Sequence, residues 1–126
     1  MARKAYSAED AVSVGPYSHA VEMGDYVFLS GQTPIDSNTG KIVEGGVAVQ
    51  TEQCFRNLFK VLEAAGLTPD DVAKVNVYLR DMADFAEMNA VYSTKFSSPY
   101  PARTTIGVAG LPLGARIEIE MLARKK

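Results

Sequence analysis

An arginine at the head of a strand, two glutamates spaced two apart on another, and a few hydroxyls beside glycines are the groups in this chain with chemistry to offer. In "PYPARTTIG", Pro101 has no N–H for a sheet ladder and belongs at a strand entrance. Thr104, Thr105, Ile106 and Val108 supply the β-branched run that follows, so Arg103 stands at the strand's head. A permanent cation there is either a solvated strand end or an anchor for something anionic. In "RIEIEMLA", Glu118 and Glu120 alternate with Ile117, Ile119 and Met121, the pattern of a strand with one wet face. Tyr17 and Ser18 of "GPYSHA" read as turn and strand-entry residues, and Ser30-Gly31 of "LSGQTP" as a strand end running into a turn. His19 reads as a half-buried hydrogen-bonding residue, and Cys54, beside Phe55, as core or near-core. Each alone has an ordinary structural explanation.

The rare residues exclude more than they suggest. One cysteine forbids an intrachain disulfide. A single histidine rules out His-rich metal sites and paired-histidine acid–base chemistry within one chain. No phosphate-binding glycine loop or dinucleotide fingerprint appears, so no nucleotide cofactor is indicated. Chemistry here must run on Arg, Glu, Tyr, Ser, Thr, backbone groups and water. The net charge of −2 lacks the basic stripe of a nucleic-acid binder; the longest basic run is Arg124-Lys125-Lys126. The opening "MARKAYSAED" has no apolar signal stretch, and no segment approaches membrane-spanning length, which predicts a cytoplasmic protein with no membrane partner.

The positioning elements follow from periodicity. "HAVEMGDYVFLSG" predicts a hairpin turning at Gly24-Asp25, and "DSNTGKIVEGG" a short strand at Lys41 to Val43. Phe55, Leu58, Phe59 and Leu62 fall at i, i+3, i+4 and i+7, predicting a helix from about Val47 to Ala65 that Gly66 stops. Thr68, Pro69 and Asp71 form a cap signature for about one helical turn, after which Val75, Val77 and Leu79 alternate as a strand. Asp84 is expected to cap a second helix reaching to about Ser97, with Phe85, Met88, Tyr92 and Phe96 on one side. Two strands end the chain, the first from Arg103. The order describes one α+β domain over residues 1–126, a mixed sheet with two helices packed on one face. "YVFLS" is apolar or aromatic on both faces, as is the run from Val75 to Tyr78, and two helices cover only one. A second copy of the chain is the expected cover for the other.

Taken together, "GPYSHAV", "LSGQTP", "VEGGVAVQTEQCFRNLFKVLEAAG", "DVAKVNVYLRDMADFAEMNAVY", "PARTTIGVAGLP" and "RIEIEMLA" resemble, in order and spacing, the blocks of the RidA/YjgF family. These are reactive-intermediate imine deaminases, once labelled translation inhibitors or L-PSP endoribonucleases, and the resemblance runs from Gly15 to Ala123. It implies a chorismate-mutase-like fold assembled as a homotrimeric barrel with clefts between subunits. It also implies hydrolysis of 2-aminoacrylate, 2-iminobutyrate and related enamines or imines to 2-keto acids and ammonia, with neither metal nor organic cofactor.

By the same resemblance, Arg103 grips the substrate carboxylate, which suits a guanidinium fork. Glu118, the first glutamate of "EIE", is the acid near the reacting centre and holds or deprotonates the water. Tyr17, Ser30 and Asn89 line the pocket, Gly31 lets backbone approach the ligand, and backbone groups from Thr104 to Ile106 position water and the substrate nitrogen. Two residues depart from the family pattern: His19 replaces a common Gln, and Thr105 a common Cys. Thr105 supplies the same backbone groups but no thiol, so the change bears on substrate range. Rival readings are a non-catalytic binder of small carboxylates, which Arg103 would serve equally, and an RNase or translation inhibitor, which the acidic balance disfavours. Chorismate-mutase activity follows from fold analogy alone.

Overall fold

A computed structural model of the chain describes residues 3–8 and 15–126. The reading of the first ten residues as free of a signal stretch therefore lies partly outside the described residues. Strands β1 (Lys4–Tyr6), β2 (Ala20–Met23) and β3 (Tyr26–Gln32) form a meander whose second turn is Gly24-Asp25. Gly24 takes φ +59°, the left-handed backbone that a two-residue turn needs. A small hairpin, β4 (Ile35–Asp36) with β5 (Lys41–Ile42), precedes helix α1 (Val47–Ala64). Then come β6 (Val72–Leu79), α2 (Phe85–Tyr92), β7 (Ala102–Gly107) and β8 (Ile117–Arg124). The main sheet has the order β1-β2-β3-β8-β6-β7, antiparallel except for β6 and β7. That parallel pair needs a crossover, and α2 provides it.

The expected α+β architecture is what forms. α1 buries Phe55, Leu58, Val61 and Leu62 against Val27 and Leu29 of β3, Val75, Val77 and Leu79 of β6, and Ile117, Ile119 and Met121 of β8. Its end is tied by Gly66 N–H donating to Glu63 O (2.9 Å) and Leu67 N–H to Leu62 O (2.9 Å), the paired bonds of a glycine-terminated helix. Thr68 and Asp71 make the anticipated reciprocal cap, around a single 3₁₀ turn.

The second helix is shorter than its periodicity predicts, closing at Tyr92 instead of near Ser97. The hydroxyls of Ser93 and Thr94 bond back to Ala90 O and Val91 O (2.8 and 2.6 Å). The next amides, of Thr94 and Lys95, take carbonyls three residues back, so the helix tightens and stops. Phe96 keeps its place in a cluster of four rings with Phe55, Phe59 and Tyr92, not as a helical residue. Asp84 does not cap α2. Its carboxylate instead takes Arg116 bidentately (2.9 and 3.1 Å), and Asp81 caps the preceding 3₁₀ turn through Ala83 N–H. The start of β8 is thereby fastened, since Arg116 N–H also donates to the buried Gln50 of α1.

Both helices lie on one sheet face. The other carries Val21, Phe28 and Leu122 in one cross-strand row and Glu118, Tyr78 and Ile106 in another. Phe28 and Ile106 are about half exposed there, at 50% and 46%. The strands are thus two-faced as expected, and a single chain leaves the second face uncovered.

Candidate functional site

Arg103 sits on the helix-facing side of β7, opposite Val75, whose side chain is in the core. α2 presents Phe85, Asn89 and Tyr92 to it from one helix face, at spacings of four and three residues. The guanidinium lies over the Tyr92 ring at 4.6 Å and the Phe85 ring at 5.5 Å, and its Nη1 donates to Asn89 Oδ1 (2.7 Å). Stacking and one amide bond fix the guanidinium plane without neutralising its charge. It borders a cleft of about 450 Å³ lined also by Asn89, Tyr92, Ser93, Tyr100 and Pro101, with no carboxylate in that lining. Burial pushes the Tyr92 phenol up, while the Arg103 charge pulls it back.

Glu118 occupies the opposite, open face of the sheet, across from Tyr78. Where β3 meets it the ladder slips: Leu29 pairs with Met121 but Gln32 with Ile119, leaving one extra residue at Ser30-Gly31. The bulge turns Gly31 against the glutamate. A methyl group at Gly31 would stand 2.3 Å from Glu118 Oε2 and 3.0 Å from its Cδ. Glycine is needed here to seat a carboxylate, a reason beyond the ligand approach anticipated for it. Ser30 Oγ donates to Ser18 O (2.6 Å) and Ser30 N–H to His19 O (2.9 Å), so this serine ties "GPYS" to "SGQ". Tyr17 is exposed, with its ring edge-on to that of His19 at 6.2 Å. His19 is more deeply buried than half, and Cys54 is fully buried.

Side chains of α1 hold the segment after the bulge. Asn57 Nδ2 donates to Thr33 O and Ile35 O (3.2 and 3.0 Å), Gln53 Nε2 to Ile35 O (3.3 Å), and the Cys54 thiol to Gln32 O (3.2 Å). These residues were missed as site supports. Their signal was there: polar side chains at 50, 53 and 57 recur at helical spacing along the flank of the apolar stripe.

Tyr17, Ser30, Gly31, Thr33, Pro112, Glu118 and Glu120 together line a cleft of about 520 Å³ with no cation in that lining. Glu120, read from sequence as part of a wet face, accepts a hydrogen bond from the Tyr78 phenol. Burial raises Glu118 above the usual carboxylate range, and the neighbouring Glu120 charge adds to the rise. The Tyr78 phenol is pushed up to about 12, chiefly by its bond to Glu120. Burial, then the Glu118 charge, pushes the Cys54 thiol well up, away from reactivity.

The anticipated residues thus fall into two groups. Arg103 and Asn89 share one cleft, and Tyr17, Ser30, Gly31 and Glu118 the other, with no residue common to both linings. Thr105 lies two residues beyond Arg103 on the same face of β7 but in neither lining; its hydroxyl is buried and unpartnered among the described residues. Also among the described residues, no three His, Cys, Asp or Glu side chains gather as a metal would need, and no helix is long and apolar enough to cross a membrane.

Known proteins match this arrangement along almost the whole chain. The family model described as Endoribonuclease L-PSP matches residues 8–125. A RutC family protein from Pyrococcus horikoshii is 49% identical over 113 residues, 90% of either chain. A 2-iminobutanoate/2-iminopropanoate deaminase from Dermatophagoides farinae is 45% identical over 109 residues, 86% of this chain and 85% of that one. The crystal structure of RidA from an Antarctic Psychrobacter superposes with a TM-score of 0.92 at 42% identity, covering 97% of this chain and 99% of the other.

Proposed function

The chain belongs to the Endoribonuclease L-PSP family, that of the RidA/YjgF proteins, and on that premise we propose that it hydrolyses small 2-imino and 2-enamino acids to 2-keto acids and ammonia. The observation that carries the reading is the division of charge between the two clefts. One holds a clasped cation and no acid; the other holds two acids and no cation. A substrate with a carboxylate at one end and an imine carbon beside it needs both.

Arg103, already oriented by Tyr92, Phe85 and Asn89, takes the carboxylate in a fork of two N–H donors. The imine carbon is electrophilic without help, so the protein must orient it, place a water and assist the departure of nitrogen. Orientation alone contributes several kcal/mol when the geometry is close to that of attack. Glu118, seated against Gly31, receives the proton of the attacking water. Tyr17 and Ser30 shape the wall on that side, and backbone groups from Thr104 to Ile106 bound the other. No metal or organic cofactor enters the scheme.

Because the two clefts open on different faces, one substrate meets both only between two copies of the chain. We place the site there, in a homotrimer of one-domain subunits whose bare faces, carrying Phe28 and Ile106, cover one another. An acidic chain of this kind fits a cytoplasmic setting, where amino-acid dehydratases release such imines. The test is a coupled assay with a threonine or serine dehydratase. Added protein should hasten 2-ketobutyrate or pyruvate formation, and a chelator should not prevent it. No acceleration with either intermediate overturns the reading; saturable keto-acid binding without turnover would make the protein a carboxylate binder.

A further inference from the structure

Two carboxylates in one cleft raise the question of which holds a proton. Glu118 and Glu120 project from the same face of β8, two residues apart, into the cleft shared with Tyr17 and Gly31. A like charge on the same strand face disfavours ionisation of Glu118, and which carboxyl holds the proton depends on what distinguishes the two sites. The phenol of Tyr78 does so. It stands across from Glu118 in the β6–β8 ladder, yet its hydroxyl reaches diagonally to Glu120 and donates there. Among the described residues Glu118 receives no such donor; it lies against Gly31 at the bulge.

We propose that Tyr78 and Glu120 form a positioning pair for Glu118: the phenol pins Glu120, and pinned Glu120 leaves Glu118 as the carboxyl that carries the proton of the reaction. The proposal rests on the hydrolytic reading above and adds the proton's route. When water adds to the imine carbon, Glu118 takes a proton from oxygen as the C–O bond forms and gives one to nitrogen. When the C–N bond breaks, it takes the hydroxyl proton and gives one to the departing nitrogen. One water enters, one ammonia leaves, and Glu118 ends as it began. Such a shuttle works best when its group is not fixed in the ionised form, as burial and the Glu120 charge ensure.

Among the described residues, the groups facing Glu118 come from several neighbouring elements. β3 offers Ser30 and Gly31, the segment before β2 offers Tyr17, and the turn before β8 offers Pro112. β6 offers Tyr78, α1 offers Cys54 through the sheet, and β8 itself offers Glu120. In the trimer proposed above, the partner subunit's Arg103 is the cation opposite. Among the described residues, Glu120 is thus the one charged neighbour of Glu118 within the chain.

The test is a carbon-13 NMR titration of glutamate-labelled protein, with the Glu118 signal assigned by its loss in Glu118→Gln. It needs no turnover, so it fails or holds separately from the deaminase reading. In the wild type, the first proton taken up in the cleft should move the Glu118 signal alone. Glu120→Gln should lower the Glu118 midpoint, as loss of a neighbouring like charge requires. Tyr78→Phe, which keeps the ring, should spread that first proton over both carboxyls. If the imine is turned over, the Glu118-dependent limb of the kcat/KM profile should shift to lower pH in Glu120→Gln. An unchanged Glu118 midpoint in Glu120→Gln, or a first proton shared by both carboxyls in the wild type, would overturn the proposal. A Tyr78→Phe titration identical to wild type would overturn the phenol's part in it.

Discussion

Replacing Gly31 by alanine separates the seat of Glu118 from the stability of the fold. The added methyl would lie 2.3 Å from Glu118 Oε2, 3.0 Å from Cδ and 3.3 Å from Cγ, and all three atoms belong to a movable side chain. Gly31 does not occupy the left-handed region, so its backbone accepts alanine. The carboxylate must swing away, at about 0.5–1.5 kcal/mol if it leaves its rotamer well. Lower chain entropy in the unfolded state offsets about 0.4–1 kcal/mol of that. Net stability should therefore change by no more than about 1 kcal/mol, a few degrees in Tm. Catalysis should respond very differently, because misplacing a reacting group by about 1 Å costs on the order of 100-fold, or about 2.7 kcal/mol in the barrier. Thermal unfolding and the dehydratase-coupled assay on the same preparation measure both. Folded Gly31→Ala with kcat/KM within about twofold of wild type would refute the idea that Glu118 acts from this position.

With Arg103 gripping the carboxylate as proposed, Arg103→Ala removes two charge-assisted bonds, each worth about 1.5–3 kcal/mol, so kcat/KM should fall by about two orders of magnitude or more. Arg103→Lys keeps the charge but not the fork, and should recover little of it in the coupled assay. Asn57→Ala removes one donor each from Thr33 O and Ile35 O, which keep Ile35 N–H and Gln53 Nε2, and should lower stability by about 1 kcal/mol in a denaturant titration. Tyr78, raised from 10 to about 12, stabilises the folded state fully below pH 10, and that contribution is lost as pH rises through 12. The stability difference between wild type and Tyr78→Phe should therefore shrink across that window, and one phenol fewer should ionise near pH 12 in an ultraviolet titration.

Periodic apolar spacing made α1 and the β2–β3 hairpin legible, because one residue type per turn or per alternate position reports a whole face. It misjudged α2, where Phe96 keeps the apolar rhythm while Ser93 and Thr94 use their hydroxyls to end the helix. β1 went unseen because three residues carry too little pattern. Arg103 was legible as a strand-entrance cation, but its clasp by Phe85 and Tyr92 was not, since those rings also serve as ordinary core-facing residues of α2. Glu120 was read as solvated because alternation reports a face, not what else stands on it. The partner that changes its meaning, Tyr78, comes from β6, more than forty positions away in the chain. The bulge at Ser30-Gly31 was hidden for the same reason: it exists only relative to β8.

In the proposed reaction, Arg103 of one copy and Glu118 of another act on the same imine. Complementation tests it most directly. Arg103→Ala and Glu118→Gln chains, each inactive alone, would be mixed in equal amounts under conditions that let subunits exchange. Light scattering would confirm particles of about three chain masses. If each site draws its arginine and its glutamate from neighbouring copies, random assembly restores about a quarter of the interfaces. The mixture should then recover about a quarter of wild-type deaminase activity, while the double variant mixed with either single variant recovers none. A mixed trimer as inactive as its parents would contradict the shared site.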